Sequence, residues 1–451
     1  MSGAPAGGGA AGGSERVAYD RQRTTAASLP RRVRRGVFHA ALRALTLAQA
    51  WSVRVASALG PERRQLPEDG VDILLTGTFY ADNWVAAHIA PLAASRRCRR
   101  LRVVTSYQGP AIDKVEWIAP SRWLRPLAGG TGARLGTFVA EAIRTRPHVV
   151  GGFHLLLNGL VALPLARLIG SRAIYFCGGG PTEVLDGGVW GQNRLFTLME
   201  TPDAVVERRL LRTVAGFDLV ITMGRRAIGF FRGRGIDTTF HVVSGGMDAQ
   251  RFAPSPEQAR ADFILVARLS SVKRVDLFLQ ALARVARERP QASAIVVGDG
   301  PLLEDLKRQA RDLGLADRVT FAGHQADVES WLKQARVFVL TSDSEGLSLA
   351  LMEGMLCGLP AVVSDVGDLP ELVEEGSNGF LVAERTPEAF ADRMIALAGD
   401  PERLRSFSEA ARQAALAYSL ERTTGRWDRI LALEPTTQDG MIPTPSSRVD
   451  P

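Results

Sequence analysis

Glu345 and Glu353 lie eight residues apart in the segment VFVLTSDSEGLSLALMEGMLCGLPAVVSD, whose pattern indicates a strand, a loop, a helix and a second strand. The valine-rich run from Val337 to Ser342 has the length of a buried strand. Leu347 to Cys357 can form a short helix, which the following glycine and proline end. In an open parallel sheet, ligands bind beyond the carboxyl ends of the strands. Glu345 and the start of this helix are therefore expected at a ligand crevice.

The start of the predicted helix is suited to an anion. The N–H groups of Gly346, Leu347 and Ser348 have no partner within the helix, and the helix dipole favours negative charge there. Glu353, in the second turn, can accept two hydrogen bonds from the neighbouring hydroxyls of a ribose. An acidic residue near a phosphate-binding helix start indicates a nucleotide ligand. The spacing alone is equally compatible with two solvated surface glutamates.

Three flanking segments extend this pattern. FILVARLSSVKRVDLFLQAL and SAIVVGDGPLLEDL precede it, and SDVGDLPELVEEGSNGFLV follows it. With these motifs in this order, the chain resembles the family-4 glycosyltransferases, which are retaining sugar-nucleotide transferases of the GT-B fold. The resemblance is strong over residues 263–382, traceable over residues 71–247, and absent from the segment before them.

The resemblance implies an α/β fold in which two Rossmann-like domains face each other across a cleft. It implies transfer of a hexose from a UDP- or GDP-sugar donor, without a cofactor, to a glycan or lipid-linked acceptor in polysaccharide or glycolipid biosynthesis. By this resemblance, Glu353 binds the ribose hydroxyls, and Glu345 lies beside the donor sugar and assists transfer. His154 faces the donor sugar from the first domain, and the backbone of residues 346–348 holds the sugar and the diphosphate.

The leaving diphosphate accumulates negative charge that the enzyme must stabilise. Arg268 ends the predicted strand FILVARL, and Lys273 follows five residues later at the mouth of the crevice. The sequence has no convincing Asp-x-Asp pair to hold a divalent metal, and SDSE is the nearest match. The side chains of Arg268 and Lys273 therefore predict transfer that does not need a metal. Gly298, in GDGP, provides a tight turn at another strand end. The turn either contacts the nucleotide or has a purely structural role.

The first domain is expected to bind the acceptor. Asp82 and Asn83 follow the predicted strand VDILLTG and are candidates for contacts with sugar hydroxyls. Glu183 lies in the glycine-rich segment CGGGPTEVLDGG, a candidate sugar-binding loop at another strand end. His154 has a second interpretation, as a core histidine at the end of a strand.

Composition and charge limit the class of protein. The 451 residues, 46% of them hydrophobic, are sufficient for two domains and tails, and the three cysteines show neither metal-ligand spacing nor a disulfide framework, as expected in a reducing cytoplasm. The start MSGAPAGGGAAGG lacks the features of a signal peptide. Residues 1–65 contain eleven arginines and three acids, a net charge of +8, whereas the whole chain carries +7. The basic character therefore belongs to the N-terminal extension.

Alternation of short valine- and isoleucine-rich runs with helical stretches predicts two parallel sheets covered on both faces. Twelve strands are predicted, VDILLTG, RLRVVTSY, HVVGGFH, RAIYFCGG, FDLVITM and FHVVSGG in the first domain, and FILVARL, SAIVVGD, RVTFAG, VFVLTS, PAVVSD and GFLV in the second. The predicted domain order is a disordered or basic extension (1–65), an acceptor domain (66–245), a linker (246–260), a nucleotide-sugar domain (261–418), a crossover helix (419–435) and a disordered tail (436–451).

The segment from Arg31 to Leu59 combines arginines with apolar residues in a pattern typical of helices at a membrane interface. Contact with an anionic membrane at the inner face of the plasma membrane is one hypothesis, and a helix packed on the catalytic body is the other. Trp51 does not share a helical face with Phe38 and Leu42. VEWIAPSRWLRPL is a second candidate contact, with Trp117, Ile118, Trp123 and Leu124. Aromatic and basic residues do not interleave across a domain surface, so no nucleic-acid partner is predicted.

Two other functions remain open on the same sequence. A sugar-nucleotide 2-epimerase of the same fold needs acid and base groups around C2 and no acceptor site. A transferase-like protein without turnover, used in assembly, would retain the fold alone. The presence of Arg268, Lys273, Glu345 and Glu353 together favours the transferase.

Overall fold

A computed structural model describes residues 31–79, 82–184, 201–255 and 259–434 of the chain. The predicted disorder of residues 1–30 and of the tail 436–451 lies outside the described residues. So does the last part of the candidate sugar-binding loop, residues 185–188.

The first sheet contains seven parallel strands among the described residues, in the order β3-β2-β1-β4-β5-β6-β7. Their runs of buried residues match strands that are covered on both faces. The strands are β1 Val71–Thr76, β2 Cys98–Val104, β3 Val115–Ile118, β4 Val149–Phe153, β5 Arg172–Cys177, β6 Leu219–Thr222 and β7 Phe240–Val242.

The second sheet contains six parallel strands in the described part of the chain, in the order β10-β9-β8-β11-β12-β13. Both sheets have the doubly wound topology of Rossmann-like domains, so the predicted fold class is confirmed. The strands are β8 Ala261–Val266, β9 Ala294–Val297, β10 Val319–Gly323, β11 Ala335–Leu340, β12 Ala361–Ser364 and β13 Gly379–Val382.

Helices cover both faces of each sheet and join successive parallel strands. Those before β8 are α1 Arg31–Leu59, α2 Asp82–His88, α3 Ala90–Ala94, α4 Arg125–Thr145, α5 Leu160–Ile169, α6 Ala204–Ala215 and α7 Arg225–Arg232. Those after β8 are α8 Val275–Glu288, α9 Leu303–Asp312, α10 Val328–Leu332, α11 Leu349–Leu356, α12 Pro387–Ala398, α13 Pro401–Leu416 and α14 Leu420–Leu431.

The described part of the predicted N-terminal extension is mostly helical. Residues 31–59 form a single helix, α1, which packs on α5 and α6 of the first domain. Its buried residues Leu42, Thr46 and Gln49 are spaced so that they fall on one side of the helix. One face of this helix therefore packs on the catalytic body, which was one of the two hypotheses for residues 31–59.

The chain crosses between the domains twice, and the two crossings are hydrogen-bonded to each other. The N–H groups of Gly246 and Met247 donate to the carbonyl oxygen of Tyr418 at 3.0 Å each, and the N–H of Leu420 donates to the carbonyl of Met247 at 2.8 Å. Helix α14 then packs on the first domain, where Trp427 is fully buried in the core. These paired segments form a compact connection between the domains.

One strand, β3, was not predicted, and it contains part of the segment that we considered as a membrane contact. Trp117 and Ile118 lie in this edge strand, and the indole N–H of Trp117 donates to the carbonyl of Pro110 at 2.9 Å. Both side chains are half-buried and pack against the core of the first domain. None of the described helices has the length and apolar character needed to span a bilayer.

Candidate active site

The loops after β8 and β11 meet at the carboxyl edge of the second sheet, because these two strands are neighbours. Lys273 Nζ lies 2.6 Å from Glu345 Oε1, and Ser342 Oγ donates to the same oxygen at 2.6 Å. The Glu345 side chain is only 8% exposed, so this pair is largely shielded from water. The sequence placed each residue at the crevice, and the ion pair between them is a finding of the structure.

Backbone contacts fix the lysine beside the strand that carries the glutamate. Thr341 Oγ1 donates to the carbonyl oxygens of Lys273 and Arg274 at 3.2 and 2.8 Å. The N–H of Asp343 donates to the carbonyl of Val272 at 2.8 Å. The backbone position of Lys273 is therefore set by the sheet, and its ammonium group is held by Glu345.

Helix α11 begins beside this pair. Ser348 caps it, its hydroxyl accepting a hydrogen bond from the N–H of Leu351 at 3.3 Å. Within the described residues, no acceptor bonds to the N–H groups of Gly346, Leu347 and Ser348. The exposed Arg268 lies beyond the carboxyl end of β8, at the same edge of the sheet. The site thus offers free N–H groups and two cations, which suit a diphosphate.

Glu353 lies in the second turn of α11 and is buried. Burial raises the pKa of its carboxyl group to about 7, although the charge of Arg251 opposes the shift. Among the residues that the structure describes, none donates a hydrogen bond to this carboxyl group. A buried acceptor without a protein partner is costly for folding and is suited to a ligand hydroxyl pair.

Gly298 has a structural reason to be glycine. Its φ is +137°, and a Cβ atom there would lie 1.9 Å from the carbonyl oxygen of Ala267. At Gly300, a Cβ would lie 2.3 Å from the carbonyl oxygen of Leu269. The GDGP turn therefore packs directly against the segment that carries Arg268, which supports the interpretation of a structural turn over a direct nucleotide contact.

His154 and Glu183 form a pair in the first domain, at the carboxyl ends of the adjacent strands β4 and β5. His154 Nδ1 lies 3.0 Å from Glu183 Oε1, and His154 has a left-handed backbone with φ 65°. Burial lowers the pKa of His154, but the charge of Glu183 and its hydrogen bond outweigh that effect and raise it. With Nδ1 occupied, Nε2 is the ring atom left to contact a ligand.

The Glu183 side chain is 9% exposed and makes most of its contacts with the protein. Its carboxylate also accepts hydrogen bonds from the N–H groups of Leu155 and Gly179, at 2.7 Å each, and from the hydroxyl of Tyr175 at 2.7 Å. Burial raises the pKa of Glu183, but His154 and the other donors outweigh it and lower the pKa. Glu183 thus orients His154, and its contact with the acceptor stays a prediction.

Asp82 and Asn83 lie at the start of α2, after the carboxyl end of β1. Asp82 accepts a hydrogen bond from the hydroxyl of Tyr107, and Asn83 Oδ1 accepts from the N–H of Trp84 at 2.8 Å. Both side chains are exposed at the cleft edge of the first sheet. Strand β1 pairs with β4, so they lie at the end of the strand next to the one that precedes His154.

Residues of both domains meet beside the candidate site, and sequence analysis did not identify this contact. The N–H of Arg226 donates to Asp368 Oδ1 at 3.3 Å, and the N–H of Arg225 donates to Glu371 Oε1. A cavity of about 480 Å³ lies next to this contact and is lined by Arg226, Asp343, Ser344, Asp365, Val366, Gly367 and Arg385. Asp368 and Glu371 belong to the motif GDLPELV. The resemblance implied no role for either carboxylate.

The described residues contain no group of three or more histidine, cysteine, aspartate and glutamate side chains placed to hold a metal ion. All three cysteines are buried and unbridged.

Residues 247–414 match the family described as Glycosyl transferases group 1. Among curated proteins, the chain is 30% identical over 243 residues to a GDP-mannose-dependent alpha-(1-6)-phosphatidylinositol monomannoside mannosyltransferase of Mycolicibacterium smegmatis, covering 49% of this chain and 63% of the relative. It is 34% identical over 151 residues to the N-acetyl-alpha-D-glucosaminyl L-malate synthase of Bacillus anthracis, covering 34% of this chain and 39% of that protein. The match thus spans less than two thirds of the length of these relatives.

Solved structures share the fold. An Anabaena protein, HepE, crystallised with UDP and glucose, has a TM-score of 0.64 at 20% identity, covering 80% of this chain and 99% of that chain. Sucrose-phosphate synthase from Thermosynechococcus elongatus has a TM-score of 0.64 at 17% identity, covering 80% and 98%. At these identities the likeness establishes the two-domain architecture alone.

Proposed function

We propose that this chain, a member of the glycosyl transferases group 1 family with a GT-B fold, is a retaining glycosyltransferase that moves a hexose from a UDP- or GDP-sugar to a glycan or lipid-linked acceptor. One observation carries the proposal: Lys273 and Glu345 pair at the start of α11, and Glu353 lies buried without a protein partner in the second turn of that helix. This arrangement provides separate groups for a diphosphate, a sugar and a ribose.

In the proposed reaction, the bond between the anomeric carbon and the phosphate oxygen breaks, and the nucleoside diphosphate leaves. The acceptor oxygen forms the new bond on the same face of the sugar, and its proton passes to the leaving phosphate, so no protein general base is needed. Arg268, Lys273 and the free N–H groups of residues 346–348 stabilise the charge that develops on the diphosphate. Transfer therefore proceeds without a divalent metal.

The roles of the two domains follow from this arrangement. Glu353 accepts hydrogen bonds from the ribose hydroxyls, and Glu345 and His154 contact the donor sugar from opposite sides of the cleft. Asp82 and Asn83 contact the acceptor, and the cavity beside Arg226 has the volume of a small-ligand site. The mannosyltransferase relative is named for a phosphatidylinositol acceptor, which supports a lipid-linked acceptor and a peripheral location at the inner face of the plasma membrane.

A panel of UDP- and GDP-sugars tests the proposal. The protein is incubated with each sugar in water, and proton NMR identifies the products and the configuration of the first sugar released. We expect slow hydrolysis of one donor to nucleoside diphosphate and free sugar with retained configuration, unchanged by EDTA. A C2-epimerised sugar nucleotide would identify an epimerase, and nucleotide binding without turnover would identify a non-catalytic protein. Loss of turnover in EDTA with recovery in Mn²⁺ would contradict metal independence.

A further inference from the structure

Helix α1 has two apolar faces, of which one is packed on the first domain and the other is exposed. The packed face contains Phe38, Leu42 and Val53. The outward face of α1, defined as Val37, Ala40, Ala41, Ala44, Leu47, Ala48 and Trp51, repeats every three or four residues, and all of these residues are exposed. Trp51 is 67% exposed and Leu47 57%. Trp51, which does not share a helical face with Phe38 and Leu42, thus belongs to this outward face.

A second exposed apolar group lies at the start of α4. Trp123 is 88% exposed and Leu127 is 86% exposed, with the exposed Arg122 and Arg125 between and beside them. Gly129, with φ 65° and ψ −179°, interrupts the helix, so this first turn is separated from the packed part of α4. We call residues 122–127 the α4 tip. Water-exposed tryptophan and leucine at such levels are unfavourable unless another phase or partner covers them.

Both surfaces lie on the same side of the first sheet. Leu42 of α1 and Phe138 of α4 belong to one core cluster, whereas Val85 of α2, Leu92 of α3 and Trp427 of α14 belong to the cluster on the opposite side. The α4 tip also follows the carboxyl end of β3, the sheet edge at which His154 lies. A surface that covers the α4 tip is therefore close to the cleft.

The charges around these surfaces specify what covers them. The sequence of α1 contains six arginines and no acidic residue, and one of them, Arg43, pairs with Asp203 of the first domain. The segment 119–131, which includes the α4 tip, contains two arginines and no acidic residue. A neutral apolar partner would gain nothing from the other arginines, whereas the negative charge of an anionic lipid surface attracts them. Tryptophan between arginines is also the side chain that partitions best to the interface of a bilayer.

We propose that the outward face of α1 and the α4 tip dock together on an anionic lipid bilayer and hold the cleft edge of the first domain at its surface. The inference rests on the proposed function only for its consequence, which is access to a lipid-linked acceptor. Binding itself needs neither substrate nor turnover, so it is tested separately from the catalytic proposal.

Co-sedimentation of the full-length protein with vesicles tests the docking. Vesicles contain either phosphatidylglycerol with phosphatidylcholine, or phosphatidylcholine alone. Trp51→Glu and Trp123→Glu each replace an exposed aromatic side chain with a negative charge, which the anionic lipid repels. We expect each substitution to weaken binding to anionic vesicles by about 10-fold or more. Leu433→Glu, a matched change at an exposed leucine next to α14, should bind as wild type does.

Three readouts keep the outcomes distinct. Thermal unfolding should be unchanged in both tryptophan variants, since both positions are exposed. Donor hydrolysis without acceptor should also be unchanged, because neither residue belongs to the catalytic site. Equal binding of wild type and both variants would overturn the proposal. A dimer in light scattering that Trp51→Glu dissociates, with no vesicle binding by wild type, would also overturn it and would identify a second copy as the occupant.

Discussion

The carboxyl group of Glu353 is held in a state that is unfavourable without ligand. Burial raises its pKa to about 7, and the described residues give it no hydrogen bond. A raised pKa means that the folded protein binds the proton more tightly than the unfolded chain, so the free energy of unfolding falls as pH rises from about 4.3 to 7. This loss is the cost of keeping an acceptor ready for a ribose.

The variant Glu353→Gln separates stability from function. Because glutamine does not ionise, we expect it to stabilise the ligand-free protein at pH 8 by up to about 3 kcal/mol, with a much smaller difference at pH 5. Nucleotide affinity should fall, since one acceptor oxygen becomes an amide donor. Urea unfolding at the two pH values and nucleotide titration measure both effects. Equal stability of the two proteins at pH 8 would show that Glu353 is not buried as described.

The second residue-scale prediction concerns His154. Glu183→Gln removes the charge that raises the pKa of His154, so the imidazole should titrate at lower pH. NMR titration, with His154→Asn to assign the signal, measures the shift. Because Glu183 also sets the ring orientation, we expect kcat to fall by about 10- to 100-fold with little change in the KM for donor. A retained titration midpoint together with normal kcat would show that Glu183 has no part in positioning the ring.

Sequence analysis predicted which residues lie at strand ends near the site but not the contacts between residues of different strands. Lys273 and Glu345 were each predicted at the crevice from their own motifs, and the structure adds the ion pair between them. His154 and Glu183 are 29 residues apart and meet only because β4 and β5 pair. Glycines 178 and 179 allow the contact, since a Cβ on either would approach the His154 ring or the Glu183 side chain.

At the scale of elements, α1 is anchored to the first domain through the start of α6. Asp203 caps α6 by accepting from the N–H groups of Val205 and Val206, at 3.0 and 3.2 Å, and also contacts His39 Nδ1 at 2.7 Å and Arg43 Nε at 2.9 Å. Burial raises its pKa, but His39, Arg43 and the Val206 N–H outweigh it and lower the pKa to about 2. One carboxylate thus holds two helices.

Asp203→Ala should lower the free energy of unfolding by about 2–4 kcal/mol, because both the cap and the contacts with α1 are lost. Asp400→Ala is the matched control: Asp400 caps α13 through the N–H groups of Glu402 and Arg403 without bonding to another helix, so its loss should cost about 1 kcal/mol. Urea unfolding at pH 7 measures both. The Asp203 contribution is present above pH 4 and is lost as pH falls towards 2. Equal costs for the two variants would mean that α1 is not anchored there.

The strands that sequence analysis predicted are those with buried apolar runs, and β3 shows why one was missed. Its residues VEWI are half-buried or exposed, because an edge strand has a neighbour on one side only. It therefore lacks the continuous apolar run that identifies a central parallel strand. The helix α1 was predicted from its composition. Its packing was left open, because the sequence does not show which of its two apolar faces contacts the domain.

At the scale of the whole molecule, the domains are joined by the paired crossings at Met247 and Tyr418 and by the contact of Arg225 and Arg226 with the second domain. Gly245 and Gly246 have φ of +75° and +123° in the first crossing, which non-glycine residues rarely adopt. Such a connection can act as a hinge, and closure over the donor would exclude water from the cleft.

Small-angle scattering measures this closure. We expect the radius of gyration to decrease on addition of the donor sugar nucleotide, because its nucleotide contacts the second domain and its sugar contacts the first domain. Lys273→Ala should show a smaller change at the same nucleotide concentration, since fewer molecules carry ligand. Identical curves for wild type with and without saturating nucleotide would contradict a closing hinge.

The central claim is that a nucleoside diphosphate binds at the carboxyl edge of the second sheet, between Lys273 and Glu353. Calorimetric titration of UDP and GDP into wild type, Lys273→Ala and Lys307→Ala tests it most directly. Lys307 pairs with Glu304 on α9 of the same domain, so it controls for loss of a lysine. We predict binding of one nucleotide by wild type, an affinity about 10- to 100-fold lower for Lys273→Ala, and no change for Lys307→Ala. Equal affinity of wild type and Lys273→Ala, or no binding of either nucleotide, would contradict the claim.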